Sequence, residues 1–137
     1  MSQSADLLFG LSNEVAVHKQ IENTLGISLL KTGGKYDPYD FYDLNNTFVE
    51  LKSRRIKHNQ YPTALVGQNK IQKIQEGNHY YFFFSYEDGL YYIKYDKALF
   101  DTFHIQDDYY RGNRSDCPNY AQALVHIPVD KLSPAKI

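Results

Sequence analysis

An aromatic run at positions 79–86, HYYFFFSY, sets the strongest limit on how this chain can fold. It is apolar almost throughout, which is typical of a central β-strand that is covered on both faces. A second run, LYYIKY at 90–95, follows after Glu-Asp-Gly, and an Asp-Gly pair is a strong signal for a hairpin turn. The sequence therefore predicts two paired strands, the first of which needs other elements packed above and below it.

A second hairpin is predicted in the segment YDPYDFYDLNNTFVELKSRR at 36–55, where an Asn-Asn pair suits a tight turn. The residues after the turn favour a β-strand, and side chains along a strand alternate between its two faces. Glu50 and Lys52 therefore share one face of this strand. Val49 and Leu51 share the other face, which suits burial in a core.

The charged face of this hairpin has a chemical use. An aspartate on the first arm and Glu50 on the second can hold Mg²⁺ or Mn²⁺, hard cations that prefer oxygen ligands. Lys52 beside them can orient and help deprotonate an attacking water, or neutralise a developing phosphate charge. Together these groups supply what the hydrolysis of a phosphodiester bond needs. The alternative is a surface hairpin whose glutamate and lysine are solvated or paired across the strands.

Three aspartates on the first arm compete for the metal-binding position: Asp37, Asp40 and Asp43. If Phe41 is buried with the apolar residues of the second arm, Asp40 must lie on the same face as Glu50. That register requires a turn with an odd number of residues, whereas a two-residue turn would favour Asp43 or Asp37. Asp40 is the predicted ligand, because core packing should decide the register.

Helices and shorter strands are predicted around the two hairpins. Helix ends are indicated by capping residues and by glycine, and a proline suits a helix start. The predicted elements are a helix at about 13–25, a strand at 27–31, a helix at about 63–75, a short helix at 97–103 and an edge strand at 123–127.

The chain has 137 residues, of which 42% are hydrophobic, and this suits one domain over 1–137 with a core at about 12–95 and an extension at 96–137. Cys117 is the single cysteine, which excludes an internal disulfide framework and a cysteine-based zinc site. No long apolar run is present, so we expect an intracellular protein without a membrane span. With a net charge of −1, contacts with nucleic acid must come from local clusters of positive charge.

The densest basic run follows the proposed catalytic strand directly. It contains Arg54, Arg55 and Lys57, and Tyr61 comes shortly after them. Arginine and lysine side chains contact the phosphates of nucleic acids, and an aromatic ring can stack on a base. These four residues are therefore predicted to bind nucleic acid; the alternative is a solvated loop.

Asp40 followed, after a hairpin, by Glu50-Leu51-Lys52 resembles the active-site signature of the PD-(D/E)XK nuclease superfamily. That superfamily includes restriction enzymes, Holliday-junction resolvases, phage exonucleases and viral cap-snatching endonucleases. The predicted order of helix, three strands, helix and strand pair over residues 12–95 is similar to its αβββαβ core. The resemblance implies a restriction endonuclease-like α/β (α+β) fold, in which helices flank a mixed central sheet.

The resemblance also extends the site beyond the hairpin. Many superfamily members contribute a glutamate from the first helix, which implies Glu14 as a metal ligand besides the Leu51 carbonyl. Members often place a glutamine or lysine from the second helix against the site, which implies Gln68 as a catalytic residue and Lys70 as a contact to substrate. The RecB-like Gln-x-x-x-Tyr motif is matched only in part, because Gln72 stands where tyrosine is expected. A helix-dipole role for Glu14 and surface positions for the other two are the alternatives.

These inferences predict a Mg²⁺- or Mn²⁺-dependent nuclease that hydrolyses phosphodiester bonds. On the resemblance, DNA is the expected substrate, and structure-specific cutting by a homodimer, as in junction resolvases, is one expected mode. Two alternatives stay open: a cap-snatching-like RNA endonuclease, and a non-catalytic module on the same fold that binds nucleic acid or assembles with a partner. A phage or viral origin is compatible with the resemblance.

Overall fold

Two β-sheets form the framework in the computed structural model, which describes residues 15–32, 39–107 and 123–136. Helix α1 covers residues 15–25, within the predicted first helix. The further elements in chain order are β1 (Leu30–Lys31), β2 (Phe41–Tyr42), β3 (Thr47–Ser53), β4 (Thr63–Gly67), α2 (Gln68–Gln72), β5 (His79–Tyr86), β6 (Gly89–Lys94), α3 (Lys97–Phe100), β7 (His104–Gln106), β8 (Leu124–Pro128), a 3-10 helix (Val129–Lys131) and β9 (Ser133–Pro134). The predicted mixed α/β class is confirmed, and the helices of the described segments are few and short.

The larger sheet is mixed, as predicted. Its strand order is β1-β2-β3-β5-β6-β9, and β3 and β5 are its parallel pair. Its other neighbouring strands are antiparallel. Two parallel neighbours need a crossover connection, and residues 54–78 form it here, with β4 and α2 inside it. The crossover therefore leaves and rejoins the sheet beside the strand that carries Glu50.

The predicted helix at 63–75 is wrong in its first half. The segment Thr63–Gly67 is strand β4, and only Gln68–Gln72 is helical. Ala64 and Val66 are buried at alternate positions, which is the period of a strand. Both pair with residues of β8, far along the chain. This tertiary pairing overrides the helical spacing of the apolar residues around it.

The smaller sheet has the order β4-β8-β7, so β8 is its central strand. The edge strand predicted at 123–127 is therefore a strand, but it is wrongly placed at an edge, because it has a neighbour on each side. Beyond β8, Leu132 is buried and β9 pairs with β6. The last described segment of the chain thus completes both sheets.

Strand β5 is covered on both faces, as its aromatic sequence predicts. Phe82 and Phe84 pack toward the smaller sheet, in a core shared with β4 and β8. Phe83 points the other way and packs with Val17 and Ile21 of α1. Each of the three phenylalanines is at most 2% exposed. Complete burial of such a side chain stabilises a fold by about 1.5–3 kcal/mol, so this strand anchors both cores.

The β2–β3 hairpin has the register that favours Asp40. Phe41 pairs with Val49, and both side chains are buried in the core beneath α1. A backbone hydrogen bond of 3.0 Å closes a three-residue loop at 44–46. The last loop residue, Asn46, has a φ of 65°, which asparagine tolerates better than most residues. The predicted turn with an odd number of residues is confirmed.

Candidate active site

The hairpin register brings Asp40 and Glu50 to the same face of the larger sheet. Since Phe41 and Val49 point into the core beneath α1, the side chain of Glu50 points to the opposite face, toward the smaller sheet. Only 12% of the Glu50 side chain is exposed. The register sets Asp40 opposite Glu50 across the hairpin, and the negative charge of Asp40 contributes to the raised pKa of Glu50.

The backbone of β3 holds Asp40 in place. The Asp40 N–H donates to the Val49 carbonyl at 2.9 Å, and its Oδ2 accepts from the Leu51 N–H at 2.7 Å. In a strand the N–H and C=O of one residue point to the same side, so the Leu51 carbonyl also faces the side of Asp40. Asp40, Glu50 and Leu51, three of the four predicted metal ligands, are thus neighbours in the hairpin. The fourth, Glu14, lies outside the described residues.

Asp43 has a different role in the structure. Its Oδ1 accepts hydrogen bonds from the N–H groups of Asn45 and Thr47, both at 2.9 Å. An acidic side chain that accepts from the backbone a few residues later stabilises a turn. Asp43 therefore shapes the hairpin loop, whereas Asp40 lies beside the glutamate. Asp37, the third competing aspartate, lies outside the described residues.

Two lysines share the environment of Glu50. The Nζ of Lys70, on α2, lies 3.6 Å from Glu50 Oε2, and Lys52 follows Glu50 on the same face of β3. Burial, and next the charge of Asp40, raise the pKa of Glu50 to about 7, and the charges of Lys70 and Lys52 oppose this rise. The positive charges of the two lysines therefore offset only part of the rise in the pKa of Glu50 that its burial and the charge of Asp40 cause. Near neutral pH, Glu50 is divided between its protonated and ionised forms.

Tyr39 joins helix α2 to the site, a contact that the sequence did not predict. The Tyr39 hydroxyl donates to the Lys70 carbonyl at 3.1 Å, and the Lys70 Nζ lies 6.0 Å from the centre of the tyrosine ring. Burial raises the pKa of Tyr39, so that its hydroxyl stays protonated and can donate. The ring packs against Phe48 and Tyr80. The available sequence signal was its position next to Asp40.

Gln68, the other candidate on this helix, lies at the start of α2. Its backbone N–H donates to the Ala123 carbonyl at 2.9 Å, and its side chain is half-buried. Within the described part of the chain, Lys70 is the α2 residue that forms an ion pair with Glu50. The structure thus brings Lys70 to the carboxylates, and a catalytic role of Gln68 stays a prediction.

The predicted nucleic-acid-binding residues lie on the loop that follows β3. Arg54, Arg55 and Lys57 are exposed, and 53% of Tyr61 is exposed. Their charged groups and ring are therefore accessible to a phosphate backbone or a base. Lys70, which we also expected to contact nucleic acid, lies on α2 beside Glu50.

This loop is fixed to the turn between β5 and β6. The N–H and the Nδ1 of His58 lie 2.9 and 2.6 Å from the Asp88 carboxylate. The hydrogen bond from His58 lowers the pKa of Asp88. The His58 ring also stacks on Tyr91, with ring centres 4.3 Å apart. The positively charged loop therefore has a defined position next to the site.

A cavity of about 270 Å³ lies between this loop, strand β5 and the smaller sheet. Lys52 and Arg54 line it, together with Tyr61 from the loop. Phe84 and His126 contribute to its walls from the two sheets. The sequence did not predict this cavity, because its walls depend on the unexpected strand β4 and its pairing with β8.

The oxygen donors at the site suit a hard divalent cation. The described residues contain no group of three histidine, cysteine, aspartate or glutamate side chains placed to hold a metal ion. Two carboxylates and a backbone carbonyl are nevertheless a usual protein share for Mg²⁺, which keeps several water or substrate oxygens as ligands. A cation here would also favour the ionised form of Glu50, whose pKa burial has raised to about 7. Asp40, Glu50 and Leu51 therefore fit such an ion.

A half-buried pair of carboxylates, flanked by lysines on a mixed sheet, is the arrangement expected from the nuclease signature in the hairpin. The chain belongs to the family described as "Phage putative PDDEXK endonuclease", whose model matches residues 5–135. The predicted resemblance is thereby confirmed, and membership implies an endonuclease that acts on nucleic acid. Comparisons with curated proteins and with solved structures gave no match. None of the helices in the three described segments is long and apolar enough to cross a membrane.

Proposed function

We propose that this protein is a Mg²⁺- or Mn²⁺-dependent endonuclease that uses Asp40, Glu50 and the Leu51 carbonyl as metal ligands. We propose Glu14 as a further ligand from the first helix. The bound ion would stabilise the negative charge that develops on the phosphate during hydrolysis. Family membership supports the endonuclease activity, and the neighbouring positions of Asp40, Glu50 and Leu51 support the ion.

In this proposal, Lys52 acts on the reacting phosphate. It lies two residues beyond Glu50 on the same strand face, about 6–7 Å along the strand. Its ammonium group can orient the attacking water or stabilise the phosphorane-like transition state. Lys70 positions Glu50 through their ion pair of 3.6 Å. Gln68 would approach the substrate from the start of the same helix.

The observation that carries the proposal is the environment of Glu50. This carboxylate is 12% exposed, has a second carboxylate beside it, and has its pKa raised to about 7. Its ionised form is therefore unfavourable in the folded protein. Carboxylates with strongly shifted pKa values cluster at functional sites, where they bind a ligand or act on a reacting group. A divalent cation held by Asp40 and Glu50 would offset this unfavourable interaction.

For the substrate, we propose DNA, cut preferentially at branched or distorted positions by a homodimer. The net charge of the chain is only −1, and the loop beyond β3 concentrates Arg54, Arg55 and Lys57 in one place. Such a cluster can contact a few phosphates, whereas proteins that track regular duplex present longer basic surfaces. A local contact of this kind suits recognition of a particular DNA shape.

Isothermal titration with Mn²⁺ tests the metal site directly. The parent protein should bind the ion with measurable heat, and Asp40→Ala and Glu50→Ala should both lose that heat. Asp43→Asn is the matched control, because asparagine keeps an acceptor for the loop hydrogen bonds and removes one acidic charge. This control should bind Mn²⁺ like the parent.

Cleavage assays then test the activity on branched, duplex and single-stranded DNA and on the same structures in RNA. Cutting that depends on Mg²⁺ or Mn²⁺ and disappears in Lys52→Met would support the proposal. If the protein cuts RNA in preference to DNA, then the substrate is RNA and the proposal of DNA is wrong. Absence of Mn²⁺ binding at millimolar concentration, with and without nucleic acid, would overturn the proposal and leave a non-catalytic binding module.

A further inference from the structure

We propose that the cavity beside Lys52 binds a single unpaired base of the nucleic-acid substrate. The inference rests on the proposed function, since it assigns a place to the base next to the phosphate that the proposed metal ion would hold beside Glu50. Lys52 lines the cavity and lies two residues from Glu50, about 6–7 Å along β3. A base in the cavity and a phosphate at the carboxylates can therefore belong to the same or to adjacent nucleotides.

The size and the walls of the cavity suit one flat ring system. Its volume of about 270 Å³ is slightly below the range of about 300–1,000 Å³ for pockets that take drug-sized ligands. Phe84 and Tyr86 of β5 form part of its mainly apolar wall, and both side chains are buried. Tyr61 also lines the cavity and is 53% exposed, so its ring is available for stacking on an inserted base.

The charge around the cavity is complementary to that of a nucleotide, which has a negative phosphate and an uncharged base. Lys52 and Arg54 supply positive charge, and none of the described lining residues is acidic. The remaining wall is largely uncharged. Phosphates on either side of a bound base would lie near the two cations, while the uncharged base would occupy the apolar interior. A free anion would leave this interior unfilled, and an uncharged apolar ligand would make no use of the two positive charges.

One wall of the cavity offers a polar edge. The Thr63 hydroxyl lies 2.9 Å from His126 Nδ1, and His126 Nε2 lies 2.9 Å from Gln106 Oε1. Because the amide oxygen accepts, Nε2 carries the proton, and Nδ1 accepts from the hydroxyl. Burial, and next the neighbouring His104, lower the pKa of His126, which favours this neutral form. The Thr63 oxygen retains the capacity to accept from an N–H group on the edge of a base.

The base in question must be unpaired. A base inside a duplex is stacked and paired, and it reaches a pocket in a protein only by rotation out of the helix. That rotation is least unfavourable where the base already lacks a partner, as at a branch, a bulge or a mismatch. The cavity would therefore give the enzyme a preference for distorted substrates without a separate recognition element.

The experiment compares two DNA duplexes that differ at one position, one with a bulged unpaired base and the other with an abasic bulge. Binding is measured by fluorescence anisotropy in EDTA, at constant salt, so that no cleavage occurs. The parent should bind the duplex with the base about 5- to 100-fold more tightly, the range for stacking of a base on an aromatic ring. Tyr61→Ala should lose most of this preference, and Tyr61→Phe should keep it.

Arg55→Gln is the matched control, because Arg55 belongs to the same loop but does not line the cavity. It should weaken binding of both duplexes equally and leave their ratio unchanged. Leu65→Trp, which places a ring in the cavity from β4, should abolish the ratio as Tyr61→Ala does, with folding checked by thermal unfolding. The same pair of oligonucleotides in RNA shows which nucleic acid supplies the base.

Equal binding of the two duplexes by the parent would overturn the proposal, as would a preference that survives in both Tyr61→Ala and Leu65→Trp. The metal-dependent cleavage assay decides the proposed function separately. Loss of the base preference with intact cleavage would reject only the cavity, whereas a base preference without cleavage in Mg²⁺ or Mn²⁺ would reject only the nuclease.

Discussion

Replacement of Glu50 by glutamine should stabilise the protein at alkaline pH. The glutamate is 12% exposed, and its pKa is raised from 4.5 to about 7. A raised pKa in the folded state means that the protonated side chain contributes stability below about pH 4.5. This contribution is lost as the pH rises through about 7, because the ionised carboxylate is less favourable in the folded chain than in the unfolded chain. Glutamine resembles the protonated form at every pH.

The magnitude follows from the two pKa values. A shift from 4.5 to about 7 corresponds to a limiting effect of about 3 kcal/mol, at about 1.4 kcal/mol for each pH unit. Between pH 5 and pH 8, the free energy of unfolding of Glu50→Gln should rise relative to that of the parent by about 2 to 3 kcal/mol. The burial of Glu50 makes this value less subject to screening by solvent than that of a surface carboxylate.

Urea unfolding at pH 5, 6, 7 and 8 in EDTA measures this difference, with fluorescence of the many tyrosines as the signal. Glu76→Gln is the matched control, since Glu76 is an exposed glutamate outside the site, and its difference from the parent should stay small at every pH. A stability difference for Glu50→Gln that does not change with pH would refute the reasoning. Such a result would mean that Glu50 is solvated or fully balanced by Lys70.

Four further substitutions and one metal titration test the carboxylate site and its hairpin loop. Asp40→Asn should lower the pKa of Glu50, because it removes a negative neighbour, and Lys70→Met should raise it, because it removes a positive one. Carboxyl-carbon NMR titration measures the pKa of Glu50 in both variants. Shifts in the same direction would contradict the placement of Asp40 and Lys70 beside Glu50. Residue 46 has a φ of 65°, so Asn46→Ala should lower the free energy of unfolding by about 1–2 kcal/mol, whereas Asn46→Gly should not lower it. Equal effects of the two variants in urea unfolding would argue against the left-handed conformation of residue 46 in the loop. The affinity for Mn²⁺, measured by calorimetry, should fall by up to about tenfold per pH unit below pH 7, because the ion requires the ionised form of Glu50. An affinity that stays constant with pH would exclude Glu50 as a ligand.

The sequence was sufficient to predict the structure where the burial of nearby apolar residues determines it. The register of the β2–β3 hairpin follows from Phe41, whose burial with Val49 leaves Asp40 on the face of Glu50. The aromatic run of β5 likewise required cover on both faces, because almost every position in it is apolar. In both hairpins the residues that determine the geometry lie within about a dozen positions of one another.

The sequence was insufficient where distant segments meet. Thr63 and His126 are 63 residues apart in the chain, yet β4 and β8 are neighbours in the smaller sheet. A short apolar segment such as that at 63–67 fits a helix or a strand, and only its partner decides between them. The contact of Lys70 with Glu50 depends on the same crossover, as do the walls of the cavity. Neither could be derived from spacing alone.

The pairing of β4 with β8 also determines when the site becomes complete during synthesis. The two arms of the β2–β3 hairpin, which carries Asp40 and Glu50, are close in the chain, so they can pair soon after they are made. Strand β4, which precedes the helix that bears Lys70, has β8 at 124–128 as its neighbour in the smaller sheet. We therefore expect a nascent chain to carry the carboxylates long before the crossover and the cavity are fixed. A partly synthesised chain would therefore lack both the smaller sheet and the cavity that this sheet helps to form.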